Sequence, residues 1–200
     1  MDTQARYEFR TWGKTLEDVK KRLLQLATPR HTETSEETYL ISAVTDKCNA
    51  KIRHGMIDIK RLIEKKDGLE RWRPLLKIGF PLKSSVIAND IFPNLNVQSP
   101  QLPKTEYGKA EFLNEVMSSQ SQIAIVPVSK TRLQFTLKEC QAEFASIGIK
   151  GIALDTVAVE DSNFYAVWQL IREVGISGAA NVNYIRQIKR VLGWPDHSSI

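Results

Sequence analysis

In the stretch "VSKTRLQFTLKEC", Lys130, Arg132, Gln134, Thr136 and Lys138 alternate with Leu133, Phe135 and Leu137. A strand sends successive side chains to opposite faces, so this one would carry an apolar face and a basic one. The pattern recurs. Lys51 and Arg53 share a face in "NAKIRHG"; Asp58, Lys60 and Glu64 share one opposite Ile57, Ile59 and Ile63; Arg71 and Arg73 flank Trp72. Near the start, Arg6, Glu8 and Arg10 alternate with Tyr7 and Phe9. Arginine offers forked, charge-assisted donors and lysine a mobile point charge, and both suit phosphate oxygens. A carboxylate among them could hold a divalent cation that bridges those oxygens. Each feature has a plainer alternative. The charged faces could be the solvated side of an open sheet. Arg71 and Arg73 could sit on a surface strand with a packed tryptophan, and Glu8 could simply neutralise Arg6 and Arg10.

The elements that must position these groups can be read from pattern. "TLEDVKKRLLQLA" reads as a helix with Thr15 as its cap and Leu16, Val19, Leu23 and Leu26 on one face. "ETYLISAV" and the run from "NAKIRHG" to "LLKIGF" read as antiparallel strands, with "HG" and "KKDG" at tight turns. Residues 81–103, rich in proline, asparagine and serine, read as a long connection with a short helical turn, placed where it could cover one end of a barrel. A helix is expected in "TEYGKAEFLNEVMSS", then three more strands. The last elements are a helix capped by Asp161 and ended by Gly175, and a shorter one in "NVNYIRQIKRVLGW". About eight strands with apolar faces, and helices to cover them, predict an α+β fold. It is a closed or nearly closed antiparallel β-barrel with helices packed outside and a wet, polar lumen, in a single domain over residues 1–200.

Composition narrows the functional classes. The 200 residues carry a formal charge of +5, which favours anionic partners. Basic helical segments such as "VKKRLLQ" lack the interleaved aromatic residues of a single-strand RNA reader, so nucleic acid is not the expected partner. No apolar run approaches the ~20 residues of a membrane helix, and no membrane partner is expected. Cys48 and Cys140 read as buried thiols of a reducing compartment, which places the chain in the cytoplasm. His31, His54 and His197 lack zinc-site spacing.

Taken in order, "RYEFR", "LEDVKKRLLQLA", "AKIRHGMIDIKR", "ERWRP", "VSKTRLQF", "CQAEF", "DTVAVEDSNFYAVWQLIREVGI" and "NVNYIRQIKRVLG" span nearly the whole chain. The series resembles the CYTH superfamily, the triphosphate tunnel metalloenzymes. That family opens with a strand of pattern Glu-x-Glu-x-Lys and a helix. Basic strands follow, then a late strand of alternating acids. The resemblance implies an eight-stranded tunnel that binds triphosphate through lysines and arginines and holds magnesium or manganese on acids.

Carried over, Arg53, Lys60, Arg73, Lys130 and Arg132 would bind phosphate, with Arg71 beside Arg73 in the same clamp. Arg10 would replace the lysine of the opening motif. Glu8 matches its second glutamate, Glu160 matches a late acid, and Glu143 is a further candidate; these three would hold the metal. Glu8 and Glu160 would serve catalysis by metal-assisted attack of water on the terminal phosphorus. The ligand would be a small molecule bearing a triphosphate or polyphosphate, and a homodimer is left open. Two positions depart from the pattern. Arg6 stands where the first glutamate would be, and Ala158 stands where a second late acid is common. Metal affinity is therefore expected to fall, while phosphate binding without metal could survive. The alternative is a non-catalytic binding or regulatory module.

Overall fold

Eight antiparallel strands close into a barrel in the computed structural model, which describes residues 4–195; His197 lies outside them. The strands are β1 (Arg6–Gly13), β2 (His31–Ser42), β3 (Cys48–Arg53), β4 (Met56–Lys66), β5 (Leu69–Gly79), β8 (Ile123–Leu137), β9 (Cys140–Ile149) and β10 (Ile152–Asp161). Around the barrel they run β1-β10-β9-β8-β2-β3-β4-β5. Two short strands, β6 (Leu82–Lys83) and β7 (Glu106–Tyr107), pair separately. The hairpins turn where the sequence places them. His54–Gly55 and Asp67–Gly68 take φ of 51° and 69°, and of 44° and 81°. Positive φ at both central residues matches the right-handed twist of the flanking strands.

Contacts group the chain into two compact units. One holds the residues up to Glu36, Leu62–Arg73 and Val128–Asn183; the other holds Glu37–Arg61, Pro74–Pro127 and the residues from Tyr184 onward.

In the first unit the outer barrel face is apolar. Tyr7, Phe9, Phe135, Phe144, Val157 and Val159 form one core with Val167, Leu170, Ile171 and Val174 of α5 (Phe164–Val174). The α5 cap is Asn163, not Asp161. The Asn163 side chain accepts from Tyr165 N at 3.0 Å and Ala166 N at 3.3 Å, while Asp161 accepts from Asn163 N at 2.7 Å. Asn163→Ala is expected to cost about 1 kcal/mol, measurable by urea unfolding. Gly175 ends the helix at φ 85°, where a Cβ would be strained.

In α1 (Glu17–Leu26), only Leu23 is fully buried, with Leu16, Val19 and Leu26 packed beside it. Thr15 is not its cap. The N-cap position is Leu16, whose N–H donates to Asp155 Oδ2 at 3.0 Å, so a distant strand does the capping.

In the second unit the segment read as a long connection is largely ordered. α2 (Ser84–Val86), a π-helical turn (Ile87–Ile91) and α3 (Phe92–Leu95) follow one another directly. Ile87, Ile91, Phe92 and Leu95 are fully buried against Ile52, Ile57 and Ile59. The segment thus covers the apolar face of β3 and β4. Pro93 sits at the start of α3, directly after the π-helical turn. α4 (Lys109–Glu111) runs into a second π-helical stretch, Phe112–Met117. From α6 (Tyr184–Leu192), the fully buried Lys189 donates to Asp46 and to Thr45 O, pinning the turn between β2 and β3. Cys48 and Cys140 are free and buried, and burial pushes their thiols up to about 12 and about 11. No described helix is long and apolar enough to cross a membrane.

Candidate functional site

Glu8 and Arg10 point away from the α5 core, onto the inner face of the barrel wall. There Arg10, only 7% exposed, sits opposite Ala158, which in turn sits opposite Glu143. The small alanine leaves room for Arg10 to reach two strands across. Its Nη1 donates to Glu143 Oε1 at 3.3 Å, and its Nε to Glu8 Oε1 at 3.0 Å. Lys130 Nζ donates to the same Glu143 oxygen at 2.9 Å, and Arg132 Nη1 to Glu143 Oε2 at 3.4 Å. Three cations thus share one carboxylate. Burial alone would raise the Glu143 carboxyl; Lys130, Arg10 and Arg132 override it and hold the group far below the usual carboxylate range. Arg132 also donates to Glu33 through Nε at 2.8 Å and through Nη2. Burial opposes its charge, and Glu33 and Glu143 outweigh that, so its value is raised.

Along the same face, Glu70, Glu8 and Glu160 stand directly opposite one another on β5, β1 and β10. Arg6 Nη1 donates to Glu160 Oε1 at 3.2 Å. Glu70 is held differently. Asn183 Nδ2 donates to both of its oxygens, at 3.1 and 2.9 Å, and Trp72 Nε1 donates at 3.3 Å. Burial raises its carboxyl; the Asn183 bond opposes this, and neighbouring Glu8 adds to it.

A raised folded value means that the contribution of Glu70 to stability is complete below the ordinary carboxylate range and is lost as pH rises through the folded value. Glu70→Gln keeps an acceptor for Asn183 and Trp72 without the charge. It is expected to be more stable than the parent at pH 8 and to lose that advantage at pH 4, as read by urea unfolding at both.

Asn181 completes the wall. Its Oδ1 accepts from Arg10 N at 2.8 Å, while Nδ2 donates to Glu8 O at 3.2 Å and Gly68 O at 2.8 Å.

The expected residues divide. Glu8, Arg10, Lys130, Arg132, Glu143 and Glu160 share the inner face of the first unit. Arg71 does not join them. It lies over the Tyr7 ring at 5.1 Å and pairs with Glu64 at 3.3 Å, on the outer face. Arg73 is exposed. Glu64 also accepts from the Tyr7 hydroxyl, so the two-residue period that grouped it with Asp58 and Lys60 slips between Lys60 and Glu64. Lys138 leaves the basic face altogether: it sits in the β8–β9 turn at φ 49° and reaches Glu173 at 2.8 Å.

In the second unit, the buried Glu37 accepts from Tyr39 at 3.0 Å, Lys51 at 3.1 Å and Arg53 at 3.4 Å. Tyr39 stacks on Tyr184 at 5.3 Å. Lys60 is half-buried opposite Asn49 on β3.

Glu33 escapes the sequence reading because "HTETSE" is too polar to resemble a strand; Glu37 opens the strand read in "ETYLISAV" but is not singled out there, although Glu33, Ser35, Glu37 and Tyr39 recur with period two. Asn181 and Asn183 carried a similar signal, one residue apart in "NVNY".

No family model matches the sequence, and no curated protein matches it. Solved structures do. PH1012 from Pyrococcus horikoshii superposes with a TM-score of 0.56 at 17% identity, covering 90% of this chain and 97% of that one. An adenylate cyclase-like protein from Bacillus halodurans gives 0.54 at 11%, covering 90% and 95%. HpAC1 from Hippeastrum, described with a dominant triphosphatase activity, gives 0.51 at 9%, covering 96% and 98%. The chain shares the fold of these structures, a closed eight-stranded antiparallel barrel with helices packed on it.

The resemblance in the sequence implies magnesium or manganese, but the carboxylates here do not fit such an ion. Glu8 is bound by Arg10, Glu160 by Arg6, and Glu143 by three cations. A hard cation needs several oxygens turned toward it. Among the described residues no group of three or more His, Cys, Asp or Glu is placed to hold a metal. At Glu143, an incoming ion would also meet Arg10, Lys130 and Arg132.

Proposed function

We propose that this chain binds a small molecule bearing a triphosphate or polyphosphate on the inner face of its first unit, and that it does so as a binding module rather than a metal-dependent hydrolase. The observation that carries this reading is the convergence of Arg10, Lys130 and Arg132 within 3.4 Å of the single carboxylate of Glu143. Two side chains from the neighbouring strand β8 and one from β1, two strands away, aim their donors at one anion. A phosphate chain, with oxygens along its length, can accept from several of them at once. Arg53 and Lys60, on the second unit, are not needed for it.

The test is a thermal shift with inorganic tripolyphosphate in the presence of a chelator, beside orthophosphate and sulfate. A bound ligand at a hundredfold excess over its Kd is expected to raise Tm by about 5–10 °C for a chain of this size. The response should be specific to tripolyphosphate, and no orthophosphate should be released when magnesium or manganese is added. Absence of any shift would overturn the reading. Salt-sensitive binding of long RNA, indifferent to tripolyphosphate, would move the function to nucleic acid.

A further inference from the structure

We propose that Arg6, on Glu160, together with Arg10, on Glu8, takes the place a divalent cation would hold against these two opposed carboxylates, so that the phosphate site operates without metal. This rests on the phosphate-binding reading above and deepens it. Three glutamates stand in a row across adjacent strands. Directly opposed side chains on neighbouring strands lie only about 5 Å apart at Cβ, and like charges there repel. Such a row needs its negative charge relieved to persist, by an ion from solution, by a basic side chain or by a proton. The wall supplies side chains. Arg6, two residues before Glu8 on the same strand face, donates to Glu160 at 3.2 Å, while Arg10, two residues after, donates to Glu8 at 3.0 Å. Glu70, the third member, is held by the neutral donors Asn183 and Trp72 instead.

Chemistry and access fit the role. A guanidinium is planar, stays charged, and presents its donors in a fixed fork, so one group can touch a carboxylate on one edge and a phosphate oxygen on another. The Arg6 side chain is 37% exposed and that of Glu160 is 29% exposed, against 9% for Arg10. Arg6 is therefore the member of the pair that a ligand can reach. A guanidinium also differs from a metal in what it cannot do. It holds no water as a ligand and lowers no water pKa, so it supports binding of a phosphate chain without supplying a nucleophile for its hydrolysis.

The experiment compares the parent protein, Arg6→Glu and Arg6→Gln by thermal shift and calorimetry, using manganese chloride alone and inorganic tripolyphosphate with chelator. The parent is expected to ignore manganese alone and to bind tripolyphosphate equally well with chelator present. Arg6→Glu puts a carboxylate where the cation was, beside Glu8 and Glu160, and is expected to gain stabilisation by manganese alone. Arg6→Gln keeps a donor without the charge and is expected to lose about tenfold in tripolyphosphate affinity while staying indifferent to manganese. Stabilisation of the parent by manganese alone overturns the proposal, as does a folded Arg6→Glu with no manganese response. If Arg6→Glu does not fold, Arg6→Gln decides: a tenfold loss supports the role, and an unchanged affinity removes it. A parent that fails to bind tripolyphosphate while Arg6→Glu gains manganese would leave the cation replacement standing and remove the phosphate-binding reading alone.

Discussion

Glu143→Gln is expected to cost the fold about 3–5 kcal/mol at neutral pH, because it removes the buried anion that Arg10, Lys130 and Arg132 share. Lys130 is only 3% exposed and cannot turn to water. The pH dependence should carry a signature. Burial pushes the Glu143 carboxyl up and the three cations pull it well below the usual range. A depressed folded value gives a contribution that is complete above the ordinary carboxylate range and lost as pH falls toward the folded value. The gap between parent and variant in urea unfolding should therefore be widest near neutrality and shrink on acidification. Ligand binding should move the other way. With the internal anion gone, tripolyphosphate is expected to bind Glu143→Gln more tightly than the parent and to restore part of the lost stability. A variant as stable as the parent at pH 7 would contradict this.

Lys130→Met is expected to lower tripolyphosphate affinity by about ten- to a hundredfold, the size of one charge-assisted hydrogen bond in a desolvated place. Methionine keeps most of the buried stem, so the loss should report the ammonium group rather than packing. Glu143 keeps Arg10 and Arg132, so the stability cost should be smaller than that of Glu143→Gln. The double variant should cost less than the two single losses summed, because the partners are in direct contact at 2.9 Å. Lys138→Ala is the control. The strand alternation alone groups it with Lys130, yet it is exposed on a turn beside Glu173 and should leave tripolyphosphate affinity unchanged in a calorimetric titration.

That control also marks what the sequence could and could not show. Period two correctly placed Lys130 and Arg132 on the face opposite Phe135, and Tyr7 and Phe9 on the face opposite Glu8, because one side of each strand is covered by apolar residues and register is then tightly specified. The rule failed in β5. Alternation groups Arg71 with Arg73 around Trp72, as an anion clamp or as a surface strand with a packed tryptophan; the indole donates to Glu70 on the inner face, which turns Arg71 outward over Tyr7. An amphipathic ring reports a face poorly when its N–H has a buried partner. The helical stretch from Ser84 to Leu95 was hidden differently. Its buried residues are 87, 91, 92 and 95, but a π-helical turn breaks the regular 3.6-residue spacing, and Pro93 with Asn89 and Asn94 resembles a loop. Capping of α1 by Asp155 and coverage of Glu70 by Asn183 join residues more than a hundred positions apart, which no local pattern encodes.

A crystal structure of the protein grown with inorganic tripolyphosphate and a chelator tests the central claim most directly. Phosphate oxygens are expected within about 2.7–3.2 Å of Lys130, Arg132 and Arg10, with Arg6 turned to the ligand and no metal bridging Glu8 and Glu160. Tripolyphosphate bound elsewhere, with all three cations still engaged on Glu143, would contradict it.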